Sequence, residues 1–189
     1  AGAVGTNTAA DPAQPSEKVK SDAQSVKPID LPPEITAVLA KKYPESIEDL
    51  RAIEQQVGRV LVAAVPATVG LQIGMSAGSG VLVSSDGLIL TAGHVAAIPK
   101  RDVWILLSDG RRVRGKTLGL NRDLDSGLVR ITEPGEWPFV PMAKADQIQL
   151  GEWVLALGHP GGYRSDRSAP VRLGRIVFFN RQVIRTDCT

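Results

Sequence analysis

The sequence predicts an all-β fold, a barrel or a sandwich, over residues 58–189, led in by a polar arm and one or two short helices. Three observations carry that prediction. Beyond Gly58, short runs rich in Val, Ile and Leu alternate with Gly, Asp and Pro. Asp86-Gly87 and Asp109-Gly110 each divide two such runs, and glycine tolerates the positive φ a tight hairpin turn demands. Many strand-length segments at this spacing bury one face each, which closes naturally into a barrel or a pair of sheets.

Taken in order, residues 1–30 are mostly Ala, Pro, Ser, Gln, Lys and Asp, with hardly a large apolar side chain. Such a segment buries too little surface to offset its ordering entropy, so a disordered arm is expected. Residues 31–42 read as a short helix: proline suits its first turn, lysine its last, and Pro44 stops it. Ser46-Ile47-Glu48-Asp49 resembles a capping box with Asp in place of Glu or Gln. Ile47, Leu50, Ile53 and Val57 then recur at helical spacing, and Gly58 is expected to end that second helix. Strands are expected over 59–65, 69–74, 80–84, 88–91, 103–107, 112–120, 127–132, 153–158, 171–180 and 183–186. The reading divides the chain into an arm (1–30), a helical segment (31–57) and a β domain (58–189).

Composition narrows the function. At 189 residues and 43% hydrophobic content the chain can build one real core. No apolar run nears the roughly 18–20 residues that span a bilayer. Residues 1–57 carry 6 Lys and Arg against 9 Asp and Glu, and residues 58–189 carry 16 against 11. The cations look scattered and aromatic residues are few, which is poor material for a nucleic-acid groove. Cys188 is the only cysteine, so no internal disulfide or paired thiolate site is available. His94 and His159 lie 65 positions apart in unrelated contexts, so neither a zinc site nor a cofactor is expected. The opening Ala1-Gly2-Ala3-Val4-Gly5 fits either the end left by a removed signal peptide or an arbitrary start.

The candidate chemistry centres on Thr91-Ala92-Gly93-His94-Val95. A general base needs an imidazole held rigidly beside a nucleophile and oriented by a carboxylate on its other nitrogen. A tight turn after a core strand supplies the rigidity, and the small residues at 92 and 93 permit close backbone packing. The carboxylate candidates are Asp123 and Asp125 in Asn121-Arg122-Asp123-Leu124-Asp125-Ser126-Gly127-Leu128-Val129. In an extended chain the two point the same way. Asp125 is preferred because it stands immediately before the small and apolar run, 31 positions after His94.

The stretch from Gly78 to Val95 resembles the trypsin-like serine proteases, specifically their bacterial HtrA/Deg branch. The Asp125 stretch is similar to that family's Asp-Ile-Ala-Leu-Leu run. Leu150-Gly151-Glu152-Trp153-Val154-Leu155-Ala156-Leu157-Gly158-His159-Pro160 resembles the stretch that opens the family's second barrel, with His159 in place of the usual Asn. Arg185-Thr186-Asp187 resembles the step before the nucleophile loop. The resemblance covers about residues 58–189 and implies a chymotrypsin-like double β-barrel. The first barrel (about 58–135) would be complete and the second (about 150–189) partial. It implies His94 as general base and Asp125 as its orienter. His159 is read as a loop residue.

The family's Gly-(Asn/Asp)-Ser-Gly-Gly motif, which brings the nucleophile and oxyanion hole, would begin roughly six residues past Thr189. Ser79, Ser126, Ser165 and Ser168 do not stand in such a context and are rejected as nucleophiles. The resemblance therefore implies a serine endopeptidase acting on protein or peptide substrates, with its nucleophile outside this chain. These 189 residues alone are then expected to be inactive and to need the missing part of the domain as a partner. The alternative is a protease-like module that binds peptides without cleaving them. The resemblance further implies a periplasmic or secreted protein, and a homo-oligomer built through the N-terminal segment.

Overall fold

The computed structural model describes residues 31–164, 166 and 168–188; the expected arm over 1–30 lies outside the described residues. Helix α1 spans Pro33–Ala40 and helix α2 Ile47–Ala67. Six strands follow: β1 (Thr68–Ile73), β2 (Ser76–Leu82), β3 (Leu88–Ala92), β4 (Asp102–Leu106), β5 (Arg112–Asn121) and β6 (Ser126–Ile131). They close into an antiparallel barrel of order β1-β2-β3-β6-β5-β4. A short helix, α3 (Gly93–Ala96), leaves the end of β3. A second sheet holds β7 (Trp153–Leu157), β8 (Val171–Phe179) and β9 (Ile184–Thr186). The expected all-β architecture, one full barrel and one partial sheet, is what the chain adopts.

The strand expected over 59–65 is a correction. Helix α2 runs straight through Gly58 to Ala67, and the barrel's first strand begins at Thr68. The physical reason lies in the phase of burial. Asp49, Ile53 and Gln56 are buried, Val60 and Ala64 half-buried, and Ala67 buried, a three-to-four spacing that crosses Gly58 without a break. A helix-interior glycine costs only about 1 kcal/mol against alanine, which tertiary burial readily offsets. Thr68 ends the helix: its hydroxyl donates to Ala64 O at 2.8 Å, and its N–H is shared between Ala64 O and Val65 O.

Period-two alternation fills the barrel. Along β5, Val113, Gly115 and Thr117 point inward, while Arg112, Arg114 and Lys116 face solvent. Leu71, Leu82, Ile89, Ile105 and Val129 are wholly or almost wholly buried in the centre. Gly87 and Gly110 take φ values of 83° and 86°, as the two Asp-Gly turns require.

The N-terminal helices clasp the second sheet. A helix leaves its last carbonyls without partners, and here they are claimed by residues far along the chain. The Trp153 indole N–H donates to Leu39 O at 3.1 Å. The Arg175 guanidinium donates to Lys41 O at 2.6 Å and to Gly151 O at 2.9 Å, and lies 4.1 Å over the Trp153 ring. Ser46 caps α2 by accepting the Asp49 N–H at 3.0 Å. The Asp49 carboxylate completes a different contact from the expected box: it accepts from Lys41 Nζ and from the Glu45 N–H, both at 2.8 Å.

Those two donors, Lys41 first, hold the Asp49 carboxyl below its ordinary range. A carboxyl depressed in the folded state stabilises the fold above its unfolded pKa, and that contribution disappears as pH falls through the folded value. The stability difference between wild type and Asp49→Asn is therefore expected to be full at neutral pH. It should shrink once pH drops below about 4. Thermal melts of the two proteins across that range check this, and a difference that does not change with pH would count against it.

Candidate active site

The site is built where β3 ends and β6 begins, two neighbours in the barrel. Their register sets Ala92 opposite Ser126 and Thr91 opposite Gly127, so the residues following β3 and preceding β6 meet. His94 sits on α3 and Asp125 on the turn before β6. His94 Nδ1 and Asp125 Oδ2 are 2.8 Å apart, and the His94 N–H donates to Asp125 Oδ1 at 2.9 Å. The Gly93 N–H donates to the Asp125 carbonyl at 2.7 Å. Three hydrogen bonds thus join the Gly93-His94 step to a residue 31 positions beyond His94.

Close approach is required for that arrangement. A Cβ on Gly93 would lie 3.0 Å from Asp125 Oδ1 and 3.1 Å from the Asp125 carbonyl carbon. Asp125 itself has φ of 46°, a left-handed conformation that Asp and Asn tolerate better than most residues. Behind the site, Thr117 on β5 pins the loop that follows α3. Its buried hydroxyl donates to Ile98 O and accepts the Arg101 N–H at 2.9 Å. The sequence carries no sign of this third support, because threonine is an ordinary strand residue.

An ionised carboxylate only accepts, so Asp125 selects the imidazole tautomer with its proton on Nδ1. Nε2 is then left as the acceptor. The His94 side chain, followed by its backbone N–H, holds the Asp125 carboxyl below the usual carboxylate range. Both side chains are open to solvent, at 73% and 58% exposure, so the pair faces outward and is accessible to a reacting group.

The other sequence candidates lie elsewhere. Asp123 is not extended alongside Asp125; it sits within a turn, where its N–H donates to Asn121 Oδ1 at 2.9 Å. His159 follows β7 and is buried; its backbone N–H donates to Ser79 Oγ at 2.7 Å, and its ring lies 5.2 Å from that of Tyr163. Ser79 is thereby occupied in tying the second sheet to β2. Ser126 begins β6, and Ser168 lines a cavity of about 330 Å³ together with Val65, Thr68, His159 and Tyr163. Ser165 lies outside the described residues. Among the described residues, no cluster of His, Cys, Asp or Glu has the arrangement to hold a metal ion. None of their helices is long and apolar enough to cross a membrane.

Sequence reasoning also missed a groove of about 360 Å³ beside the Asp125 turn, lined by Leu118, Leu120, Asn121, Ser126, Gly127 and Leu128. It lies where the β5–β6 register shifts between Thr117 and Gly119, with Leu118 exposed on the outward side of β5. A bulge of this kind leaves no mark in a hydrophobic pattern.

Comparison with known proteins agrees with this architecture. The chain is 35% identical over 94 residues to a probable periplasmic serine endoprotease DegP-like of Hahella chejuensis, a match covering 50% of this chain and 20% of that protein. It is 38% identical over 88 residues to a DegP-like protein of the same description from Ectopseudomonas mendocina, covering 47% and 18%. It is 38% identical over 85 residues to the putative serine protease HhoB of Synechocystis, covering 45% and 20%. The matches thus span only about a fifth of the length of these curated relatives. The family model of the trypsin-like peptidase domain matches residues 78–189, which takes in most of β2, all of β3 through β9 and both members of the His94–Asp125 pair. On its six-stranded barrel, its second sheet and this match, the chain belongs to the trypsin-like peptidase domain family.

Proposed function

We propose that this chain is the base-bearing part of a serine endopeptidase that hydrolyses protein substrates through an acyl-enzyme. The observation that carries the reading is the doubly hydrogen-bonded His94–Asp125 pair. His94 Nε2 takes the proton of a serine hydroxyl as that oxygen attacks the scissile carbonyl, and then returns it to the departing amine. Asp125 keeps the productive tautomer and stabilises the imidazolium while it exists. The serine and the backbone N–H groups of the oxyanion hole are assigned to residues following Thr189, so the 189 residues alone are inactive.

The second sheet supports that assignment. Val177, Phe178 and Phe179 on β8 and Ile184 on β9 are exposed. Apolar surface of this extent calls for cover, which further strands of the same barrel would supply. The names of the relatives from Hahella and Ectopseudomonas support a periplasmic location.

Labelling the full-length protein with a fluorophosphonate serine probe tests the reading. Label is expected on a serine following residue 189, and it should vanish in His94→Ala. A full-length protein that takes no label with His94 and Asp125 intact would leave a peptide-binding module in its place.

A further inference from the structure

The outer face of the β4–β5 hairpin gathers cations that look scattered in the sequence. Residues 100–116 contain Lys100, Arg101, Arg111, Arg112, Arg114 and Lys116 against Asp102 and Asp109, a net charge of +4 where the whole chain carries +2. Strand alternation sends Arg112, Arg114 and Lys116 to solvent on β5 and Trp104 to the same side on β4. The register sets Trp104 directly opposite Arg114. The guanidinium of Arg112 lies 4.6 Å from the Trp104 ring centroid and that of Arg114 lies 5.3 Å from it.

The ion pairs on this face engage neither of those guanidiniums directly, although the Arg114 charge also acts on Asp102. Lys116 pairs with Asp102 at 2.8 Å and Arg111 with Asp109 at 2.7 Å. The Glu133 carboxylate accepts the Arg114 backbone N–H. Among the described residues, neither Arg112 nor Arg114 forms a side-chain ion pair. A guanidinium stacked on an aromatic ring is held in orientation, so its planar fork can meet a carboxylate with little further loss of freedom.

We propose that this face is a docking surface for an acidic polypeptide segment, with Arg112 and Arg114 as its carboxylate-reading forks and Trp104 as the platform that orients them. Two of the three cations that β5 sends to this face are arginine, the residue suited to bidentate carboxylate recognition, and Trp and Arg are both enriched among the residues that carry interface binding energy. An anionic bilayer is the weaker fit. Trp104 is only 38% exposed, because the arginines cover its ring, and so it is not free to insert. The surface is set apart from the His94–Asp125 pair along β5: Arg112 and Arg114 lie in the strand's first half, and Asn121, at its other end, pairs with Ser126 beside Asp125. The proposal does not depend on proteolytic activity.

Fluorescence anisotropy of a labelled oligoglutamate peptide with the full-length protein tests it. Binding is expected at low salt, weakening as salt rises. Arg112→Gln with Arg114→Gln should weaken it about tenfold or more. Trp104→Ala should weaken it too, although no charge is removed. Arg112→Lys with Arg114→Lys, which preserves charge and places no strain on an exposed strand face, should recover only part of the affinity. Full binding by the Gln pair, or by the Lys pair, would overturn the proposal. So would tighter, Arg112- and Arg114-dependent binding to vesicles holding about a third phosphatidylserine, which would make the face a membrane contact.

Discussion

Replacing Asp125 with asparagine in the full-length protein is expected to lower kcat about ten-thousandfold, with KM for a protein substrate little changed. The cause is the proton's position. The amide oxygen of the substituted side chain can still accept the His94 N–H, as Asp125 Oδ1 does at 2.9 Å. The amide NH2 group, facing Nδ1, would donate where the carboxylate accepts. That turns the imidazole into the opposite tautomer, with Nε2 carrying the proton and unable to take one from the nucleophile. Asp123→Asn provides the contrast. Asp123 is held in the turn by Asn121, so its replacement should leave kcat within about twofold, as expected of a surface position away from such features. Steady-state kinetics on both variants check the proposed assignment, and a comparable loss in the two would remove Asp125 from the role proposed for it.

The second large effect concerns the barrel itself. Ile89→Ala is expected to destabilise the protein by about 2–5 kcal/mol, toward the upper end of that range. Ile89 is fully buried on β3 and lies opposite Val129 in register. Its Cγ2 fills the space over Gly80: a Cβ placed there would come within 2.5 Å of it, and 3.2 Å from Leu71 Cδ1. A closed barrel has hydrogen-bonded neighbours on every side and collapses poorly around a lost side chain. Gly80→Ala alone should cost about 1–3 kcal/mol through overpacking. Combined with Ile89→Ala, it places its methyl in the vacated space, so the two effects should fall short of their sum by about 1 kcal/mol or more. Thermal unfolding of the two single variants and the double variant measures that coupling, and strict additivity would contradict the packing described.

How far the fold could be read in advance differed by element, for physical reasons. The strands from Thr68 to Ile131 were legible because a barrel with one buried face imposes strict alternation, and because its two Asp-Gly turns demand a positive φ. The run 59–65 was not. Short apolar runs rich in β-branched residues carry no period of their own, and Gly58 looked like a stop signal. What settled it as helix was burial continuing in phase from Asp49 to Ala67, a property of the packed chain. The N-terminal helices' attachment to Trp153 and Arg175 was likewise invisible, since it joins residues more than a hundred positions apart.

The same division runs through the site. Local order made His94 and Asp125 candidates, a histidine after a core strand and an aspartate before one, and the resemblance of their two stretches to the HtrA/Deg branch singled them out. Local order left Asp123 as a competing neighbour in an extended chain, and it left the cations of residues 100–116 looking dispersed. The turn that removes Asp123 from the comparison, the Thr117 hydroxyl behind α3, the Leu118 bulge and the Trp104–arginine face all come from pairings between strands. Strand identity is a short-range property, encoded in alternation and turn residues. Which side chains then stand opposite one another depends on register: a tight turn fixes it within a hairpin such as β4–β5, but pairings such as β3 with β6 join strands far apart in the chain and form only when the barrel closes.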